Sequence, residues 1–381
     1  MTDDVSQPGK GFSLALPLKD PNQLGDVLKW LREPGNWGDI HKGLAGIDTV
    51  HYARFLPLEQ LGVLLFVAEY DGLRRDFVRA LAISLGGPLT KLLEWMDHAP
   101  TKPVGEDPDG FAAYVQFLQG GDAPVFCSYE DKTAKDVMGS AAPPAQPPDP
   151  GPMDPGTSKR VGGAFNLVMT LRNPLELAEL MSCLADPHTK QRIGAALGSL
   201  DYIHYARFLP LGNARGAVLM ILTEFDGVMS DYVMDFAAAL DREFSLILSY
   251  MAGGPPLPVS QYPGEFWEYV ATHLVKDTGL YAAYPDKTVL DIVGPTHPKK
   301  QPERPRSPAV QVDLADVQGN VLRGFRPGRA YHYLLRFSNA EAGRKFVRNF
   351  PVTSAGDKPQ DDSVCLNIGL TFAGLAALGV P

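Results

Sequence analysis

Read for the spacing of apolar positions, the first 140 residues switch repeatedly between two periods. Residues 12–18 (FSLALPL) alternate apolar with small or polar positions and predict a short strand. From Pro21 to about Leu44, residues Leu24, Val27, Leu28 and Leu31 recur at helical spacing, and Asp20 before Pro21 is placed to cap that helix. Residues 49–58 and 61–70 are β-branched and aromatic runs around a short polar turn, which predicts a hairpin. Asp71-Gly72 breaks the second run, and residues 73–96 return to helical spacing. A short helix near 110–118 and a last strand near 124–129 follow.

The same series then repeats. His51-Tyr-Ala-Arg-Phe-Leu-Pro-Leu58 recurs unchanged as His204 to Leu211, and Phe12 and Pro21 answer to Phe165 and Pro174 at the same offset of 153. After a two-residue insertion, Glu69-Tyr70-Asp71-Gly72 answers to Glu224-Phe225-Asp226-Gly227. Phe111-x-x-Tyr114-Val115 answers to Phe266-x-x-Tyr269-Val270, and Tyr129-x-Asp131-Lys132-Thr133 to Tyr284-x-Asp286-Lys287-Thr288. Ordered matches of this length are a duplication. The order strand, helix, strand, strand, helix, strand is the split β-α-β arrangement of ferredoxin-like units. The expected fold class is α+β, with tandem ferredoxin-like modules of the dimeric α/β-barrel type. Each antiparallel sheet has helices on one face and needs cover on the other, which two copies supply by packing sheet on sheet. Proline-rich stretches set the divisions: repeat 1 over 8–140, a linker over 141–160, repeat 2 over 161–294, a linker over 295–310, and a third, incomplete module over 311–381.

Composition narrows the function classes. A net charge of -9 disfavours a nucleic-acid partner, and Lys299, Lys300, Arg304 and Arg306 sit among prolines as a solvated linker. No apolar run approaches the roughly 20 residues that span a bilayer, and the first residues lack the pattern of a secretory signal. Cys127, Cys183 and Cys365 are too far apart for a zinc knuckle and odd in number, so free thiols and a cytoplasmic setting are expected.

The third module carries a family resemblance. Asp316-Val-Gln-Gly-Asn-Val-Leu-Arg-Gly-Phe325, Tyr333-Leu-Leu-Arg-Phe337, Val352-Thr-Ser-Ala355 and Leu366 to Pro381 follow one another as at the start of a dye-decolorizing peroxidase domain, which residues 313–381 resemble. That resemblance implies a haem peroxidase built from two ferredoxin-like halves. It also implies a distal Asp in Gly-x-x-Asp-Gly, a nearby Arg and a proximal His on the iron. None of these falls in the matched stretch, and Asp71-Gly72, Asp109-Gly110 and Asp226-Gly227 lack the preceding Gly. Haem is therefore implied as cofactor with no ligand carried over. Hydrogen peroxide and a small organic reductant are implied as partners of a parent multi-module peroxidase, with the chain as its N-terminal portion. Gln318-Gly319 is expected to shape a turn rather than touch a cofactor.

Candidate chemistry in the repeats is the set His51, Arg54, Glu69 and Asp71, duplicated as His204, Arg207, Glu224 and Asp226. Three positions apart on a strand, His51 and Arg54 are expected on opposite faces, with Arg54 nearly opposite Glu69 and His51 nearly opposite Asp71. One reading is a pair of cross-strand charge contacts that fix register. The other is an acid–base or anion-binding group in a barrel mouth. His51 is also weighed as an axial haem ligand. Phe111, Tyr114, Phe266 and Tyr269 are expected in cores. Three functions stand side by side: an accessory part of a haem peroxidase, a non-enzymatic scaffold for binding or homo-oligomerisation, and an oxygenase-like activity in the paired repeats.

Overall fold

A computed structural model describes residues 8–118, 121–123, 125–139 and 160–294, with two further strand segments, 331–336 and 363–368. Alternation in FSLALPL is realised in β1 (Lys10–Pro17), whose Phe12, Leu14 and Leu16 are buried. The next helical stretch is two helices, α1 (Leu24–Arg32) and α2 (Pro34–Ala45), because Pro34 cannot continue the first. Asp20 accepts from the Asn22 amide, as its position before Pro21 predicted. The hairpin is β2 (Val50–Leu58) and β3 (Val63–Tyr70), and α3 (Arg74–Ser84), α4 (Gly86–Leu93) and α5 (Pro108–Phe117) follow. The expected helix over 73–96 is thus broken at Leu85, and Gly86 sits so close to Gly105 that a Cβ would meet its Cα at 2.7 Å.

The last expected strand is where sequence and structure part. It is split into β4 (Gly121–Ala123), which pairs with β1, and β5 (Phe126–Cys127), which leaves its own repeat and pairs with repeat 2. A short α6 (Ala134–Met138) closes the repeat. Repeat 2 runs β6 (Arg160–Thr170), α7 (Leu177–Ala185), α8 (Pro187–Ser199), β7 (Ile203–Asn213), β8 (Gly216–Gly227), α9 (Met229–Ala239), α10 (Asp241–Ser249), α11 (Pro263–His273), β9 (Leu280–Ala282) and α12 (Val289–Val293). Here β9 returns the exchange by pairing with β2. The sheets therefore read β4-β1-β3-β2-β9 and β5-β7-β8-β6, all neighbours antiparallel.

Period 2 in the strands sorts side chains to two faces. Leu64, Phe66 and Ala68 of β3 face the helices, while Val63, Leu65 and Val67 join Leu56 and Leu58 in a cluster with Leu209, Val218, Met220 and Leu222 of repeat 2. The sheets thus pack face to face, and each helix layer covers an outer side with its own apolar core. Phe111, Tyr114, Phe266 and Tyr269 are buried in those cores. Both repeats lie in one compact unit, Met1–Gln301. The second unit, Pro302–Pro381, shows β10 (Tyr331–Arg336) antiparallel to β11 (Ser363–Ile368), with Leu334 opposite Cys365. The other segments carrying the peroxidase resemblance, and Gln318-Gly319, lie outside the described residues.

The exchanged strand β9 enters past Gly279, whose φ is +141° and whose added Cβ would fall 2.6 Å from the Trp37 ring of α2. Gly279→Val is expected to destabilise the protein by about 2 kcal/mol in urea unfolding, through strain and the clash together. A loss under about 0.5 kcal/mol would show that this entry is not constrained.

Candidate functional site

Both repeats carry a β-bulge at the same residue. In the β2–β3 ladder Val50 opposes Tyr70 and Tyr52 opposes Glu69, which leaves His51 as the extra residue; in β7–β8 the extra residue is His204. A bulge re-aims the side chain it carries. His51 is thereby turned onto the face that also carries Arg54, contrary to the opposite faces expected of a regular strand. Its carbonyl accepts the Ala283 amide of the exchanged segment, and the His204 carbonyl accepts that of Ser128.

Both imidazoles are fully buried and fully engaged. His51 Nε2 lies 2.7 Å from Asp71 Oδ1 and its Nδ1 lies 2.6 Å from the hydroxyl of Tyr284. His204 Nε2 lies 2.9 Å from Asp226 Oδ1 and its Nδ1 lies 2.9 Å from the hydroxyl of Tyr129. The two phenols meet at 3.0 Å. A chain Asp71–His51–Tyr284–Tyr129–His204–Asp226 therefore crosses from one repeat to the other. Each end is anchored by backbone donors: Asp71 accepts from Gly9 and Ala134, and Asp226 from Gly162 and Val289. Gly9 and Gly162 occupy equivalent positions at φ +70° and +61°, the left-handed region that glycine enters freely.

The arginines form the next layer, and their partners also cross. Arg54 donates to Glu224 through Nη1 and to Asn166 through Nε at 2.7 Å. Arg207 donates to the Phe12 carbonyl at 3.0 Å and places Nη2 3.2 Å from Glu69. The expected Arg54–Glu69 pairing within one hairpin is replaced by Arg54–Glu224 and Arg207–Glu69 between repeats. The bulge shifts the register so that Arg54 faces Val67 along its own ladder. Asn166 has no counterpart amide in repeat 1, where Ser13 holds the matching position; Arg54 Nη2, Arg207 Nε, Arg207 Nη2 and Glu69 Oε2 lack hydrogen-bond partners.

Electrostatics follow burial. Desolvation pushes the Glu224 carboxyl up to about 7 despite Arg54. Burial lowers Arg207, helped by Arg54 and opposed by Glu69. For Arg54 burial acts downward, but Glu224, Glu69 and Asp277 together outweigh it and raise it. Burial drives the phenols of Tyr52, Tyr129, Tyr205 and Tyr284 well above their ordinary value, so all four are neutral hydroxyls.

All eight residues singled out from the sequence thus converge on one seam, a lock between repeats that is buried except at the partly exposed Asp226. Sequence reasoning missed Tyr129, Tyr284, Asn166, Tyr52 and Tyr205. The repeated Tyr-x-Asp-Lys-Thr block contained the signal for the first two, and the repeated octapeptide for Tyr52 and Tyr205.

No family model matches the chain, and no curated protein matches it. Among solved structures, a candidate monooxygenase from Lactobacillus acidophilus NCFM aligns at 6% identity over 73% of this chain and 97% of its own, with a TM-score of 0.28. A candidate monooxygenase from Fusobacterium nucleatum subsp. nucleatum ATCC 25586 aligns at 7% identity over 72% and 95%, with a TM-score of 0.29. Values this low carry no argument about activity.

Neither His51 nor His204 fits an axial haem ligand, since both ring nitrogens of each are engaged. Among the described residues no three His, Cys, Asp or Glu side chains are placed to hold a metal ion, and no helix is long and apolar enough to cross a membrane.

The raised Glu224 sets a pH dependence. Its contribution to stability is full below the ordinary glutamate value of about 4.5 and is lost as pH rises through about 7. Glu224→Gln is expected to flatten thermal stability across that window. Arg54→Leu, which strands a buried carboxylate, is expected to cost about 3–5 kcal/mol by denaturant unfolding.

Proposed function

We propose that residues 8–294 act as a non-catalytic, covalently linked pseudo-dimer, a rigid accessory module in a protein of dye-decolorizing peroxidase type. The observation that carries this reading is the engagement of His51, His204, Asp71 and Asp226 in an inter-repeat hydrogen-bond chain, which leaves neither imidazole a ring nitrogen free to face a substrate. A catalytic imidazole must reach its substrate directly or through one water. Each imidazole here reaches only a carboxylate of its own repeat and a phenol of the other.

The link to peroxidase chemistry rests on the sequence resemblance of residues 313–381. On that reading haem is the cofactor of the parent activity, hydrogen peroxide the oxidant and a small organic molecule the reductant. The paired repeats contribute stiffness and outer helical surface for binding or oligomerisation.

Purified chain titrated with haemin is expected to give no stoichiometric Soret band and no peroxide-dependent oxidation of a dye. A one-to-one complex that His51→Ala or His204→Ala abolishes, with the fold retained by circular dichroism, would replace the scaffold reading with a catalytic one.

A further inference from the structure

We infer that the six-group chain between the repeats holds one proton more than its neutral side chains supply, carried as an imidazolium shared between His51 and His204, so that the seam is a proton-dependent lock. The argument is a count. Five hydrogen bonds join the six groups: Asp71–His51, His51–Tyr284, Tyr284–Tyr129, Tyr129–His204 and His204–Asp226. Each bond needs one proton between its heavy atoms. A phenol brings one, a neutral imidazole one and a carboxylate none, which makes four. With neutral rings one of the five contacts, four of them buried and the His204–Asp226 one part-buried, would be two acceptors facing each other at 3.0 Å or less. Two like lone pairs buried at that distance are strongly disfavoured.

The location of the extra proton also follows from geometry. Asp71 takes the Gly9 and Ala134 amides in addition to His51, and Asp226 takes the Gly162 and Val289 amides in addition to His204. Three donors converge on each carboxylate, so the proton belongs to the imidazole side. Ionising a phenol would only move a proton within the chain and leave the total at four, and burial holds both phenols neutral. Which ring is charged is set only by the direction of the phenol–phenol bond. If Tyr129 donates to Tyr284, then Tyr284 donates to a neutral His51, and a charged His204 donates to Tyr129. Three short transfers reverse this: His204 Nδ1 to Tyr129, Tyr129 to Tyr284, and Tyr284 to His51 Nδ1. Every bond survives, and the charge changes repeats.

Groups facing the chain do not alter the count. The Tyr205 ring lies 5.3 Å from His51 and the Tyr52 ring 5.6 Å from His204; the Tyr52 hydroxyl interacts with Tyr129 and that of Tyr205 with Tyr284, and each brings its own proton to any bond it makes, so the total owed by the chain is unchanged. Cys127, beside Tyr129 and Tyr205, is held as a thiol by burial, and Glu130 lies beyond it. Glu224 and Glu69, paired with the arginines, close the chain off on the side of the charged layer.

Removing a single hydroxyl resets the arithmetic. In Tyr129→Phe three bonds remain, and Tyr284 and two neutral imidazoles supply the three protons. Histidine-selective 15N NMR on the full chain at about pH 8, well above the ordinary histidine value of about 6.5, reads the result directly. In the unmodified protein the imidazolium fractions of His51 and His204 are expected to sum to one, and in Tyr129→Phe to zero. Tyr284→Phe, its mirror, is expected to do the same if the first variant does not fold. Two neutral rings in the unmodified protein at about pH 8, or an imidazolium retained in both phenylalanine variants, would overturn the inference.

Discussion

Two antiparallel sheets that face each other must fill the space between them without water. This molecule fills one end with aliphatic side chains and the rest with histidine, arginine, carboxylate and phenol. Burying those groups is costly unless each finds a partner across the gap, since an isolated buried charge loses several kcal/mol of hydration. The bulges at His51 and His204 make this possible, because they turn imidazole and guanidinium onto one face and open the ladder where the exchanged segment docks. Every other feature of the seam depends on that one extra residue per strand. Without it, alternation would turn His51 toward the helix-facing core with Ala53 and Phe55.

The cross-repeat pairing has a consequence for specificity. An ion pair buried this deeply adds little net stability compared with apolar residues of the same volume, yet losing one partner is heavily penalised. Arg54 with Glu224 and Arg207 with Glu69 therefore act less as glue than as a test of registry: any slip of one sheet over the other strands two charges at once. The two layers are not equivalent. Each guanidinium keeps an Nη2 without a hydrogen-bond partner, but Asn166 takes the Nε of Arg54, whereas the Nε of Arg207 has no such acceptor and its guanidinium is lowered. A duplicated module relieved of exact two-fold symmetry can place such an imbalance on one side only, which an assembly of two identical chains cannot do.

The parts of this fold that were legible in the sequence are those set by local chemistry. Alternation marked β1, Asp20 before Pro21 marked a cap, and the repeated octapeptide marked β2 and β7 as equivalent. Convergence of the eight polar residues was legible too, because two copies kept the whole set. Their partners were not. A bulge is a register event that no periodicity reveals, and it moved His51 to the other face and Arg54 away from Glu69. Strand exchange was equally hidden: a strand near 124–129 looks the same whether it pairs at home or abroad. The decision is made at long range, where Cys127 meets Tyr205 and Tyr281 meets Ala53.

Exchange also explains why Tyr129 and Tyr284 carry so much of the seam. Each stands just beyond a short strand that has left its own repeat, so each phenol is delivered into the partner's half and can meet the other only at the centre. Neither half has a complete histidine environment by itself, because His51 needs Tyr284 and His204 needs Tyr129. Capping boxes at Thr133 and Thr288 start the short helices that follow, and the first amide of each helix holds Asp71 or Asp226 in place. Each exchanged segment thus supplies the hydroxyl on one side of the other repeat's imidazole and the amide that fixes its own repeat's carboxylate. Folding of either repeat to its final polar arrangement is consequently conditional on the other, and the covalent link between them guarantees that partner at every concentration.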